Sequence, residues 1–336
     1  MGERVLIALG GNAMTSPEGS ASPEDQRQAV EQAMTHVAAL ILAGHDVMLT
    51  HGNGPQVGNI LLKNQLAAHV VPPVPLDWCV AQTQGTIGVL MMNALERALA
   101  PRPARVATVV TRTLVDRADR AFADPVKPIG QYFPEEDARR LEKLGQTWKR
   151  FERGWRRVVA SPEPIEILDA DPAITLMEAG HTVVAAGGGG VPVVRTADGT
   201  LEGVEAVIDK DLAAAALAKA VRATVLVIAT DVPGAVAGFG TPAARPIGRV
   251  GLGELRLLQA AGHFASGSMG PKVEAALRFV ADGGRRAVIT SLEHIGTALR
   301  EATGGAGATG PTGGRGMTGA TGPTASAGVI GTILEK

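Results

Sequence analysis

The chain has 336 residues, 45% of them hydrophobic, enough to bury the core of one large α/β domain or two smaller ones. Its 32 Lys and Arg against 33 Asp and Glu leave a net charge of −1, which argues against a non-specific nucleic-acid binder, and 3% aromatics are too few for base-stacking platforms. Cys79 is the only cysteine, so no intrachain disulfide exists, and no run of about 18 apolar residues occurs; the expectation is a cytoplasmic protein with no membrane segment and no nucleic-acid partner.

In chain order, "RVLIAL" reads as a strand. "SPEDQRQAVEQAMTHVAALILAGH" predicts a helix, with Ser22 as N-cap, Pro23 at its first position, Gly44 at its stop and Val30, Met34, Val37, Leu40 and Ile41 as its apolar stripe. "DVMLTH" is the next strand, and "HGNGPQVGNILLKNQ" passes from loop into helix. A long buried helix is expected from Asp77 to Ala100, and "RVATVVTRTLV" reads as one strand. "HTVVAAGGGG" runs from strand into glycine loop, and "VPVVRTADGTLEGV" is a hairpin turning at Asp198-Gly199. The helix "DLAAAALAKAV", the strand "TVLVIAT", the helix "PKVEAALRFVADGG" and the strand "RRAVITS" follow, and "GVIGTILE" supplies a last strand. Such alternation predicts an α/β fold with a mainly parallel sheet covered on both faces, whose ligands sit at the strands' carboxyl ends.

Two segments break this rhythm. Residues 116–164 are far more charged than their surroundings, contain the only tyrosine, Tyr132, and read as an inserted lid subdomain. Residues 304–324 carry glycine at every third position from Gly304 to Gly322, which is collagen-like spelling. Seven tethered triplets make a poor triple helix, so this segment reads as a low-complexity insertion, expected to be disordered.

Three glycine loops follow strands: "GGNAM", "HGNGPQ" and the run Gly187 to Gly190. Glycine lets backbone N–H groups approach an anion closely, and helix N-termini add favourable dipoles. One such loop is no more than a tight turn; three at equivalent positions point to a shared anion site. The P-loop and dinucleotide fingerprints are absent, as are zinc spacings and the G-x-S-x-G elbow. His51, beside a glycine loop, reads as a capping or packing residue. Lys210 stands between Asp209 and Asp211 where a strand meets a helix, and Lys272 lies in a first helical turn after Gly267 and Gly270. An aspartate suits a helix start, but a cation there makes sense only if it faces a bound anion. Fixed cations and N–H donors are what phosphoryl transfer needs.

"ALGGNAM", "THGNGPQVGN", "DWCVAQTQGTIG", "DPVKPIG", "AAGGGGVPV", "VIDKDLAA" and "GSMGPKVEAA" together resemble the carbamate kinases of the amino-acid kinase superfamily. The resemblance implies an open three-layer αβα sandwich with a protruding subdomain. It implies ATP plus carbamate giving ADP plus carbamoyl phosphate, reversibly, with Mg2+ accompanying the nucleotide rather than a protein-held metal. A homodimer and a role in arginine catabolism are further implications. Carried over, Lys210, Asp211, Lys127 and Lys272 are catalytic, with Lys127 reaching in from the subdomain. Gly10, Gly11, Asn12, Gly52, Asn53, Gly187, Gly188 and Gly189 line the phosphoryl and carbamate site. Lys210, Lys272, Thr230, Asp231, Gly267 and Met269 bind the nucleotide.

The sequence departs from that pattern in "DVPGAVAGFG", where Pro233 and Val236 take the approximate places of an Asp and a Tyr near the nucleotide base. Two alternatives stay open: a kinase of another small carboxylate or phosphonate on the same fold, and a non-catalytic nucleotide or carbamoyl-phosphate sensor. The complete "DPVKPIG" element opposes the first, and the intact lysines oppose the second.

Overall fold

The computed structural model describes residues 2–15, 22–265, 267–303 and 330–336, and the side chains of Asn12 and Ala13 fall outside it, as does the glycine-triplet segment. The apolar run Arg4–Leu9 forms β1, buried from Val5 onward. Helix α1 (Pro23–Leu42) starts where local chemistry dictates: the Ser22 hydroxyl accepts the Asp25 N–H at 3.2 Å. Gly44, at φ +87°, turns the chain out of it. Strand β2 (Asp46–His51), helix α2 (Gly54–Ala67) and helix α3 (Leu76–Leu99) follow. Helix α3 is buried along one face, while Trp78 and Val89 on another are exposed.

The expected single strand "RVATVVTRTLV" is two, β3 (Val106–Thr108) and β4 (Arg112–Leu114), in different sheets. Buried Gln84 of α3 causes the break. Its amide oxygen accepts the Thr111 N–H at 2.9 Å and its NH2 donates to the Thr111 carbonyl at 3.1 Å. A side chain thus replaces a neighbouring strand at Thr111 and releases the chain to a second sheet.

Residues 127–159 then build a separate three-stranded antiparallel sheet, β5 (Lys127–Phe133), β6 (Thr147–Phe151) and β7 (Gly154–Val159), with helix α4 (Glu135–Glu142). It has a small core of its own, Ala138, Leu141 and Trp148 under Phe133 and Trp155. Strand β5 lies on α2, where Gly58 and Gly130 let the two backbones meet: a Cβ on Gly58 would stand 3.0 Å from the Gly130 Cα.

Strand β8 (Glu166–Ile167), helix α5 (Ala170–Glu178) and strand β9 (Thr182–Val184) return the chain to the body. Strands β10 (Val191–Arg195) and β11 (Leu201–Gly203) are the expected hairpin, with Gly199 at φ +86° in its turn. Helix α6 (Lys210–Ala220), strand β12 (Val225–Thr230), and the short strands β13 (Val236–Ala237), β14 (Arg245–Pro246) and β15 (Arg249–Gly251) follow. Helices α7 (Leu252–Ala260) and α8 (Met269–Ala281), strand β16 (Arg286–Ser291), helix α9 (Ile295–Thr303) and strand β17 (Thr332–Glu335) come last.

The main sheet has eight strands in the order β15-β17-β16-β12-β1-β2-β9-β3, every neighbouring pair parallel except β16–β17. Alternate residues feed opposite cores, as the period of two demands. Val5, Ile7, Leu9, Val225 and Val227 pack with α1, α3 and α9, while Leu6, Ala8, Leu226 and Ile228 pack with α5 to α8. This is the expected αβα sandwich. A four-stranded sheet, β11-β10-β4-β8, lies beside it.

Candidate functional site

The carboxyl ends of β1, β2, β12 and β16, with the first turns of α2, α6 and α8, enclose an open cleft of about 670 Å³. The structure brings to its wall Gly10 and Gly11, Gly52 and Asn53, Gly188, Lys127, Lys210 and Asp211, Thr230 and Asp231, and Gly267 and Lys272. Residues far apart in the chain therefore converge because parallel strands end on the same edge.

At the centre lies a buried carboxylate between two cations. Lys210 Nζ bonds Asp211 Oδ1 in a short contact, and Lys272 Nζ reaches Asp211 Oδ2 at 3.1 Å. The Asp211 side chain is 4% exposed and the two lysines 14% and 16%. Burial alone would raise the Asp211 carboxyl, yet Lys210 and Lys272 hold it below the usual carboxylate range. Burial pushes the Lys210 ammonium down, Asp211 counteracts this, and Lys272 adds to the depression. One anion fixing two ammonium groups leaves a net positive site at the start of α6, where the helix dipole adds to it.

The glycine loop is held in place from below. The Thr50 hydroxyl donates to the Ala186 carbonyl at 2.9 Å, and the Thr111 hydroxyl accepts the Ala186 N–H at 3.1 Å. The Thr113 hydroxyl donates to the Gly189 carbonyl at 2.7 Å. Gly188, at φ +66°, takes a left-handed conformation, and a Cβ there would fall 2.2 Å from Asn53 Nδ2. Asn53 itself donates to the Thr83 hydroxyl of α3 at 2.9 Å, so the cleft wall and the loop interlock.

Some expected residues stand elsewhere. Gly187 and Gly189 are buried behind the wall, against His51 and Ile208 respectively. They shape the loop, but the cleft surface is Gly188. Met269 opens α8 and packs against the core instead of the cleft. The side chain of Asn12 lies outside the described residues. His51 has the packing role expected of it: it is 1% exposed, its Nδ1 bonds the Gly52 carbonyl at 2.8 Å, and burial lowers its pKa to about 4.

Sequence reasoning passed over Asp209, Gln32, His36, Ser291, Leu292 and Glu293, all at the cleft wall. Gln32 and His36 are four apart on α1, a spacing that places them on one face, but nothing local marks that face as a ligand wall. Asp209 was legible only as a helix cap, and the structure gives it a second partner: Lys127 Nζ stands 2.9 Å from its Oδ2.

The sequence model of the amino acid kinase family matches residues 3–291. A carbamate kinase of Thermococcus kodakarensis is 46% identical over 310 residues, 90% of this chain and 98% of that protein. Carbamate kinase 1 of Enterococcus faecium is 45% identical over 88% of this chain and 96% of its own length. Among solved structures, carbamate kinase from Giardia lamblia bound to AMP-PNP superposes with a TM-score of 0.86 at 39% identity, covering 99% of this chain and 98% of that one. With that fold, and a cleft built from these loops and lysines, the chain belongs to the amino acid kinase family, among its carbamate kinases.

Proposed function

We infer that the chain transfers a phosphoryl group reversibly between ATP and carbamate, giving ADP and carbamoyl phosphate. The observation that carries this reading is the pair of lysines, Lys210 and Lys272, held on one buried carboxylate in the wall of a glycine-lined cleft. A transferring phosphoryl group spreads its charge over its equatorial oxygens, so catalysis rests on positioned cations and N–H donors.

In this reading Lys210 neutralises charge on the phosphoryl group in flight and Lys272 holds the nucleotide phosphates. Asp211 fixes both ammonium groups in place. Gly10, Gly11, Asn12, Gly52 and Asn53 receive the phosphoryl and carbamate oxygens, with Gly188 packed against Asn53 on the same wall and Gly187 and Gly189 supporting it. Thr230, Asp231 and Gly267 face the nucleotide, with Met269 anchoring the helix that carries Lys272. Residues 116–164 act as a lid whose Lys127 meets the carbamate end.

Among the described residues no group of three or more His, Cys, Asp or Glu side chains is placed to cage a metal ion. Asp231 and Glu293 put carboxylates on the cleft wall, which fits a magnesium ion that keeps its waters and takes most of its oxygens from the nucleotide phosphates. Such an ion, when bound, supplies neutralisation of phosphate charge.

The proposal extends to a homodimer. Leu66, Val70, Val71, Trp78 and Val89, between the end of α2 and the middle of α3, are exposed apolar side chains of the kind a second copy would cover. It also extends to a cytoplasmic setting in which the reaction runs toward ATP in arginine catabolism. A coupled assay for ATP formed from ADP and carbamoyl phosphate tests the reading: turnover is expected, and its absence with intact nucleotide binding overturns it.

A further inference from the structure

We propose that Asp209 is the positioning residue that ties the lid to the transfer site, one carboxylate oxygen fixing the start of α6 and the other holding Lys127. This rests on the phosphoryl-transfer reading for its kinetic consequences, but not for its structural ones.

The two oxygens do separate jobs. Oδ1 accepts the backbone N–H groups of Asp211 at 2.9 Å and Leu212 at 3.3 Å, which caps the helix carrying Lys210 and Asp211. Oδ2 accepts from Lys127 Nζ at 2.9 Å, across 82 residues of sequence. A cap needs one acceptor oxygen, which Ser or Asn supplies as well as Asp. The second oxygen bonds Lys127, and the full negative charge faces Lys127 directly and acts through space on Lys210 as well. The Asp209 side chain is 15% exposed and that of Lys127 39%, so the pair sits at the cleft rim, partly out of water, where a charge-assisted bond is stronger than on an open surface.

Lys127 is the first residue of β5, the strand by which the lid packs on α2. Among the described residues the lid has three other ion pairs to the body, Arg117 to Glu202 at 2.5 Å, Arg157 to Glu205 at 2.8 Å and Glu163 to Arg278 at 2.6 Å, and none of those residues lines the cleft. Of the four, only the Asp209 tie joins a lid cation to the element bearing Lys210. Displacement of the lid therefore moves Lys127 relative to a fixed point on α6, and Asp209 sets the distance at which the lid cation stands from the other two lysines.

The substitution Asp209→Asn separates the two jobs, because asparagine caps a helix as well as aspartate while presenting no charge to Lys127. The expected result, in the ATP-forming assay, is a KM for carbamoyl phosphate raised at least tenfold with the KM for ADP within twofold of wild type. In a Lys127→Ala background the same substitution should add less than twofold, the signature of one shared interaction. Hydrogen exchange at the β5 amides should be faster in Asp209→Asn than in wild type, with α6 amides unchanged, and this is read without turnover. An unchanged KM and unchanged β5 exchange overturn the proposal, as do effects that multiply in the double variant. A wild-type chain without turnover defeats the phosphoryl-transfer reading, and the exchange measurement then decides the role of Asp209 by itself.

Discussion

Lys210 holds its charge where burial opposes it, and Asp211, with a smaller contribution from Asp209, makes the position tenable. Lys210→Ala should lower kcat by roughly 10²–10³-fold, the usual cost of one preorganised electrostatic group, measured by initial rates at saturating substrates. The depressed lysine also sets a pH limit. In the role proposed for Lys210 the ammonium form is the active one, so kcat should fall on the alkaline side at a pH below that of an ordinary lysine; Asp211→Asn should move that limb lower still, which a kcat–pH profile of the two proteins reads. The stability sign at Lys210 is opposite: the unfolded chain binds more protons between the folded and ordinary lysine pKa, so this group favours folding more as pH rises through that window. His51 works on the acid side. Its pKa is about 4 when folded against 6.5 as a free side chain, so its contribution is complete above pH 6.5 and disappears as pH falls to 4. That span corresponds to about 3 kcal/mol. Urea midpoints taken across this window should fall on acidification, and a His51→Gln variant should flatten the slope.

At the level of elements, the close approach of α2 and β5 is the seat of the lid. Gly58→Ala places a methyl group against the Gly130 backbone, where no flexible side chain yields. The lid should shift from the body, raising the KM for carbamoyl phosphate several-fold with little change in the melting temperature; steady-state kinetics and calorimetry separate the two. The sequence announces elements whose causes are local. Ser22, Pro23 and Gly44 bound α1 by themselves, and the alternation along β1 and β12 needs only their own residues. It is silent where the cause is remote. Nothing in "RVATVVTRTLV" shows that Gln84, 27 residues away, will break the strand at Thr111. Asp209 reads as a cap because the cap is three residues long, while its bond to Lys127 spans two subdomains. The four-glycine run announces unusual backbone, but that Gly188 faces the cleft while Gly187 and Gly189 face His51 and Ile208 depends on what packs behind them.

Across the whole molecule, the glycine-triplet segment lies outside the described residues, between α9 and β17. Helix α9 has nine residues and so rises about 13.5 Å, and residues 325–329 with their flanking links can span about 20 Å. Deleting 304–324 therefore leaves enough chain to rejoin β17, and activity and cooperative unfolding should both persist; loss of either would show that the segment supports the fold. The lid differs from that segment in how it is attached. Lys127 and Val159, the two ends of its sheet, are ladder partners in β5 and β7. The chain thus leaves the body and comes back within one strand spacing, about 5 Å. Everything from Pro128 to Val158 is a detour that a short turn could bridge, whereas Lys210, Lys272, Asp211 and the glycine loops belong to the undivided sandwich. A different detour, set on the same two neighbouring residues, would therefore change only what Pro128 and Ile129 present to the cleft and leave the lysines and glycine loops where they stand.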